Sequence, residues 1–430
     1  MRISASPPRR DWVLRTAGLA AVLLLAAPFA PAAPAPAFDA LAATRDYLAQ
    51  VDGPARARSD AYFEGGYWLT LWNLVVALTV AGVMLATGLS ARLRDSSERR
   101  LRRRWLRIAA CGLGYLAIAA VLTLPWDYYT GFLREHQYGM SNQTTGAWLG
   151  EWLVSQIITL VLATPVLLLL YAAIRRSPAR WWIRAAIATP FLLLFILLVA
   201  PVFIAPRFNT YTPVTDPAVR DPILRLARAN GIPAENVYEF DASRQTKRIS
   251  ANVSGALGTL RISLNDNLLR RCSPAEIRAV MAHEMGHYVL NHSYKLIVEL
   301  SLVMAAGLAF TAWFSDAVRR RFGARWGVRG ADDPAGLPIL VAGLAVFLFL
   351  ATPVTNGIVR SAESEADLFG LNAAREPDGF ATTALKLSEY RKLAPGPLEE
   401  ALFYDHPSGR TRILMAMRWK AENLPAPAAP

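Results

Sequence analysis

Three of the five histidines in this 430-residue chain fall within one short stretch, MAHEMGHYVLNH, Met281 to His292. Ser273 followed by Pro274 and then by Glu276 has the form of a capping-box helix start, and Ala279 to Ala282 continue a good helix. On that helix His283 and His287 are one turn apart, so both imidazoles project from one face toward a single point. A zinc ion takes ring nitrogens at about 2.0–2.1 Å, and the spacing supplies two of them. Glu284, one position on, sits beside such a metal without ligating it and can take the proton of a zinc-bound water. The chemistry this implies is hydrolysis.

A catalytic zinc needs a third protein ligand and an open fourth position. NGIVRSAESEADLFG, Asn356 to Gly370, has helical spacing and places Glu363 and Asp367 one turn apart. Glu363 can then bind metal while Asp367 accepts the free ring N–H of a histidine ligand. Alone, such a pair reads as a solvated helix face; beside H-E-x-x-H it reads as a ligand and its support. Glu365 is the rival ligand, although its spacing to Asp367 is wrong for a shared face. A structural zinc would normally be closed by a fourth Cys or His, and none stands near either segment. One zinc ion per chain is expected.

The elements that carry these residues are membrane helices. Hydrophobic residues make up 53 % of the chain, concentrated in six blocks long enough to cross about 30 Å of hydrocarbon. The blocks are Trp68–Ala91, Ile108–Pro125, Trp152–Ile174, Ile183–Ala205, Leu296–Phe314 and Leu337–Ile358. A shorter apolar stretch, Thr16 to Phe29, follows four arginines and leads to Ala35 and Ala37, so residues 1–37 read as a signal peptide or as an uncleaved first span. Residues 38–206 are then membrane helices, 207–292 the first part of a protease domain and 293–358 two further spans. Residues 359–420 form its second part, and 421–430 a disordered tail.

The net charge of +13 does not imply nucleic acid, because much of it lies in short loops between spans and no stacking aromatic motif accompanies it. RLRDSSERRLRRRWLR, RRSPARWWIR and RRRFGARWGVR carry eight, four and five arginines and alternate along the chain. Arginine-rich short loops stay cytoplasmic. Both halves of the zinc site fall on the other side, in a bacterial inner membrane the periplasm. Cys111 and Cys272 are too far apart in context to define a disulfide framework and read as free thiols.

These residues together resemble the membrane zinc proteases that include CAAX prenyl protease 1. The likeness extends over FLREHQYGMSNQTTGAWL, APRFNTYTPV, SANVSG followed by TLRISLNDNLL, and DHPSGRTRI. Asn356, Arg360, Glu363 and Asp367 match the family's N-x-x-S-R-x-x-E-x-x-A-D pattern, with Val359 where that pattern has Ser. The resemblance implies zinc ligands His283, His287 and Glu363, base Glu284, and Asn356, Arg360 and Asp367 around them. It also assigns oxyanion donors to His406 and Arg412. The implied fold is an all-α, multi-span barrel with a zincin-like domain and a small β-hairpin. The family has seven spans around a water-filled chamber; six are seen here, plus the N-terminal segment.

The expected function is therefore a membrane-embedded zinc endopeptidase acting on membrane-associated polypeptides. The alternatives are a prenyl-protein protease and a non-catalytic zinc-binding scaffold or transporter. Asn252, Val253, Ser254 and Gly255 lie in a β-prone segment that either pairs with an extended substrate or is an ordinary edge strand. His136 and His292 read as polar-surface or chamber residues, and Glu299 should face the bundle interior or water rather than lipid.

Overall fold

The computed structural model describes residues 38–255 and 260–424; the proposed leader or first span and the end of the tail lie outside the described residues. Asp39 caps α1 (Ala40–Leu48) by accepting from the backbone N–H of Leu41 and Ala42. There follow α2 (Gly53–Ala86), α3 (Leu89–Arg100), α4 (Arg104–Tyr128), α5 (Arg134–Gln137), α6 (Thr145–Arg176) and α7 (Trp181–Val199). Next come β1 (Tyr211–Pro213), α8 (Pro217–Ala229), β2 (Val237–Phe240), β3 (Ala251–Ser254), β4 (Arg261–Asn265), α9 (Asp266–Arg271) and α10 (Pro274–Val289). The chain ends with α11 (His292–Phe322), α12 (Leu337–Ala374), α13 (Pro377–Leu387), α14 (Pro397–Phe403) and α15 (Gly409–Asn423).

Among the described residues, six helices are long and apolar enough to cross a membrane: α2, α4 with its continuation to Gln137, α6, α7 with its continuation to Arg207, α11 and α12. Large apolar side chains are exposed along single faces of them. Leu153, Ile157 and Val161 do so on α6, and Ile187, Phe191 and Phe195 on α7. At a spacing of four these residues form a continuous apolar stripe, a surface that water would not tolerate at this extent but lipid does.

The six spans form a ring: α2 packs on α4, α4 on α6, α6 on α7, α7 on α11, α11 on α12, and α12 back on α2. Among the described residues, these six helices make up the ring. At the arginine-rich end it is filled by Val80, Met84, Ile108, Tyr115, Tyr171, Ile174, Trp181 and Leu337, with Leu308 of α11 against them. Farther along, burial falls away. The buried residues of α4 all lie between Ile108 and Tyr115, and those of α6 are Trp148, Tyr171 and Ile174. The ring is thus packed tightly at its arginine-rich base and more openly beyond it.

The three arginine-rich loops meet at that base. Buried Arg94 bonds the carbonyl of Gly327 at 2.7 Å, Arg329 pairs with Asp95 and Glu98, and Pro178, Arg319 and Val328 line one cavity. Glu363 lies 26 positions beyond Leu337 on α12, about 39 Å along a helix. That exceeds the hydrocarbon thickness, so the metal-bearing turn stands at the opposite membrane boundary.

There the chain builds a sheet larger than the expected hairpin. Its four strands run β1-β2-β4-β3, with β2 and β4 parallel and the other pairs antiparallel. β3 and β4 are the expected pair; β1 and β2, of three and four residues, are too short to leave a strand pattern. Ile262, Leu264, Leu268, Ile277, Met281 and Met285 form the core between sheet and α10. β3 is an edge, and α10 packs beside it.

Candidate metal centre

Two helices place the converging donors. α10 begins as expected: the Ser273 hydroxyl accepts from the Glu276 backbone N–H, and the Glu276 carboxylate accepts from that of Ser273 at 2.6 Å. α12 crosses it with backbones nearly touching. A Cβ on Gly370 would lie 3.0 Å from the His283 nitrogen, and one on Gly286 3.2 Å from the Ala366 Cα. Glycine at both positions lets Glu363 reach across to the two imidazoles.

The result is a triangle of donor groups, two imidazole nitrogens and the Glu363 carboxylate, which turns one oxygen to each ring. His283 Nε2 is 3.2 Å from His287 Nε2 and 3.2 Å from Glu363 Oε2, while His287 Nε2 is 3.4 Å from Glu363 Oε1. Ligands at about 2.0–2.1 Å around a tetrahedral ion are about 3.3 Å apart, so the spacing fits zinc. Among the described residues, these three form the group whose donors converge in this way.

The hydrogen bonding points to the same conclusion. Asp367 Oδ1 lies 2.8 Å from His283 Nδ1, which fixes the ring proton there and leaves a lone pair on Nε2. Glu363 Oε2 is buried without a hydrogen bond. Lone pairs thus face one another across a gap that a divalent cation would fill, and the residues present fit zinc. Asp367, with no exposed surface, is held on its other side by Arg412, whose Nε donates to Oδ2 at 2.8 Å.

Electrostatics favour a cation as well. Burial lowers the His283 pKa, but the Asp367 and Glu363 carboxylates outweigh it and push the imidazole up to about 9. For Glu284, burial is the main cause and raises the carboxyl to about 7, against the pull of His283. Burial, then the His283 charge, lowers His287 to about 4. A dication among these groups would favour neutral ring donors and an ionised Glu284.

Glu284 lines a cleft of about 200 Å³ with His283, His406, Arg412, and Ser250 and Ala251 at the head of β3. His406 comes in from the loop after α14, its Nε2 3.3 Å from Glu363 Oε2 and its Nδ1 2.8 Å from Asp405. Asn356 and Arg360 do not touch the donor triangle. Asn356 bonds the carbonyl of Leu402 at 2.9 Å, and Arg360 bonds those of Glu400 at 2.9 Å and Tyr404. They tie the loop that carries His406 to α12.

Asn252, Val253 and Ser254 lie in β3, paired on one side with Ser263, Ile262 and Arg261 of β4, and Gly255 follows at φ 104°. Glu365 turns away from the triangle, its carboxylate on Lys295 and His292. His136 bonds the carbonyls of Phe132 and Gln143. His292 corrects the surface or chamber expectation: it is 1 % exposed, because Asn291 takes a left-handed turn (φ 57°) that folds it back over α10. Glu299 is half-buried in α11, one carboxylate oxygen enclosed. Both cysteines are free. Tyr390 and Arg391 also line the cleft, and the sequence carried no signal for them. Gly286 and Gly370 were legible only as helix-interior glycines, which cost stability unless packing requires them.

The chain is similar to known proteins over most of its length. Residues 213–420 match the profile of peptidase family M48. Residues 46–210 match that of the CAAX prenyl protease N-terminal region, described as five membrane helices; four of the long apolar helices described here fall in it. The chain is 30 % identical over 345 residues to the uncharacterized metalloprotease YhfN of Bacillus subtilis, covering 80 % of each. It is 26 % identical over 322 residues to CAAX prenyl protease 1 of Saccharomyces cerevisiae, covering 70 % of each. Its fold is similar to the crystal structure of S. mikatae Ste24p, with a TM-score of 0.70 at 19 % identity over 88 % of this chain and 94 % of that one.

Proposed function

The chain belongs to peptidase family M48 and is a multi-pass membrane metalloendopeptidase, and we propose that His283, His287 and Glu363 hold one zinc ion with which Glu284 hydrolyses membrane-associated polypeptides. The observation that carries this reading is the triangle of 3.2, 3.2 and 3.4 Å with its unbonded Glu363 oxygen.

Zinc, when bound, acidifies water and polarises the scissile carbonyl. Glu284 accepts a proton from the attacking water and returns it to the leaving amine. Asp367 keeps the His283 proton on Nδ1. His406 and Arg412 border the cleft and donate to the oxyanion as it develops; Arg412 does so while anchored on Asp367. Residues 252–255 at the free edge of β3 offer backbone groups to an extended substrate, which would lie beside α10 as an added strand.

The arginine-rich base supports a cytoplasmic position for that end, and hence a periplasmic active site in a bacterial inner membrane. The relatives' names favour a prenyl-protein substrate as the narrower reading; the periplasmic placement speaks against it. Fusing alkaline phosphatase or a fluorescent protein after Asn423 tests orientation. Phosphatase activity without fluorescence is expected, and the reverse would overturn the periplasmic reading. For substrates, the test is cleavage in proteoliposomes of a peptide tethered by a single membrane helix against the same peptide free in solution. Preference for the tethered form is expected, and equal rates would remove the membrane-associated substrate class.

A further inference from the structure

The second metal-facing histidine is held by an arrangement unlike the first. His287 presents Nε2 to the donor triangle, while its Nδ1 lies 3.0 Å from Nδ1 of His292. His292 Nε2 in turn lies 3.0 Å from Glu365 Oε2, and both Glu365 oxygens accept from Lys295 at 2.8 and 3.0 Å. We propose that His292 and Glu365 form an orienting relay that fixes the ring and tautomer of His287, with His292 a positioning residue for the metal centre. This rests on the reading of His283, His287 and Glu363 as the metal site.

The assignment follows from counting protons. Two ring nitrogens 3.0 Å apart share one proton, so one donates and the other accepts. His287 must keep the Nε2 lone pair free for a metal; its proton is then on Nδ1 and donates to His292 Nδ1. The proton of a neutral His292 must then be on Nε2, where the Glu365 carboxylate accepts it. The opposite order would put a proton on His287 Nε2, facing His283 Nε2 and blocking the metal. Glu365, which the sequence offered as a rival ligand, thus acts one residue removed from the metal, as Asp367 acts directly on His283.

Burial makes the relay specific. His292 is 1 % exposed, so no water can replace it at the His287 Nδ1–H without rearrangement. Its position depends on the left-handed Asn291, which with Leu290 makes up the whole two-residue connection from α10 to α11. His292 and Lys295 are in the first turn of a membrane span, so the relay ties the metal site to α11.

The test is zinc affinity of the purified full chain, by competition with a chromogenic chelator, together with the visible absorption spectrum of the Co2+-loaded protein. His292→Leu, which leaves the His287 N–H unpaired, is expected to weaken zinc about 10–100-fold and to shift the Co2+ bands. His292→Gln, whose amide can accept from His287 and donate to Glu365, is expected to recover most of that loss. Combining Glu365→Gln with His292→Leu should add nothing further, because the relay is already broken. A His292→Leu protein with zinc affinity within about twofold of wild type and an unchanged Co2+ spectrum would overturn the relay. Should His292→Leu not fold, Glu365→Ala decides, since its side chain is half-exposed and alanine removes the acceptor of His292 Nε2–H: a measurable loss supports the relay and no change overturns it. A wild-type chain that binds neither ion overturns the site reading itself.

Discussion

Asp367 Oδ1 lies 2.8 Å from Nδ1 of His283, on a side chain with no exposed surface. Asp367→Asn keeps the shape and removes the charge, and is expected to lower zinc affinity about 10–100-fold. Arg412→Met should act differently, leaving a buried carboxylate without its cation and destabilising the fold by about 3–5 kcal/mol. Chelator competition reads the first, and thermal unfolding in detergent the second.

Gly370 carries no functional group, yet its substitution should disable the site. A methyl there would meet the His283 backbone at 3.0–3.2 Å, prising α12 from α10 and moving Glu363 away from the imidazoles. Gly370→Ala is expected to lose most of its bound zinc, measured by elemental analysis. Gly150→Ala on α6, where nothing lies within 4 Å, is expected to retain it.

The loop after α14 should affect turnover and leave metal content alone. His406→Ala is expected to reduce kcat about 10²–10³-fold with zinc still bound, if its ring stabilises the oxyanion. Arg360→Ala, which frees the carbonyls of Glu400 and Tyr404, should reproduce part of that loss. Single-turnover cleavage beside metal analysis separates the two effects.

Acid stability should report the start of α10. Burial would raise the Glu276 pKa, but Lys386, its Nζ 2.6 Å away, and the Ser273 backbone N–H outweigh it and hold the carboxyl below its ordinary 4.5. A carboxyl with a lower pKa in the folded chain adds stability above about pH 4.5 and loses it as pH falls through the folded value. Glu276→Gln is therefore expected to melt below wild type at pH 7, with the gap closing as the pH falls below the ordinary carboxyl value of 4.5 and through the lowered folded one. A gap that persists unchanged in acid would assign the effect to packing.

The parts of this molecule governed by period and spacing were readable in advance: the six spans by their length, α10 by Ser273 and Glu276, the donor set by four-residue separations. What escaped depends on approach between distant segments. Nothing in the order of residues announces that Gly370 meets His283, that Asn356 and Arg360 reach the backbone near residue 400, or that β2 pairs parallel with β4. His292 was misjudged for a related reason. Its spacing from His287 is five, off the helical face, and only the left-handed turn at Asn291 brings it back.

The most direct test is metal content and peptide cleavage, measured side by side on the wild type and Glu284→Gln. The wild type should carry about one zinc per chain and lose activity to a chelator, with zinc restoring it. Glu284→Gln should carry the same zinc and cleave about 10²–10⁴-fold more slowly. A wild type without stoichiometric zinc, or a Glu284→Gln protein that cleaves at the wild-type rate, would contradict a metal-dependent hydrolysis run by Glu284.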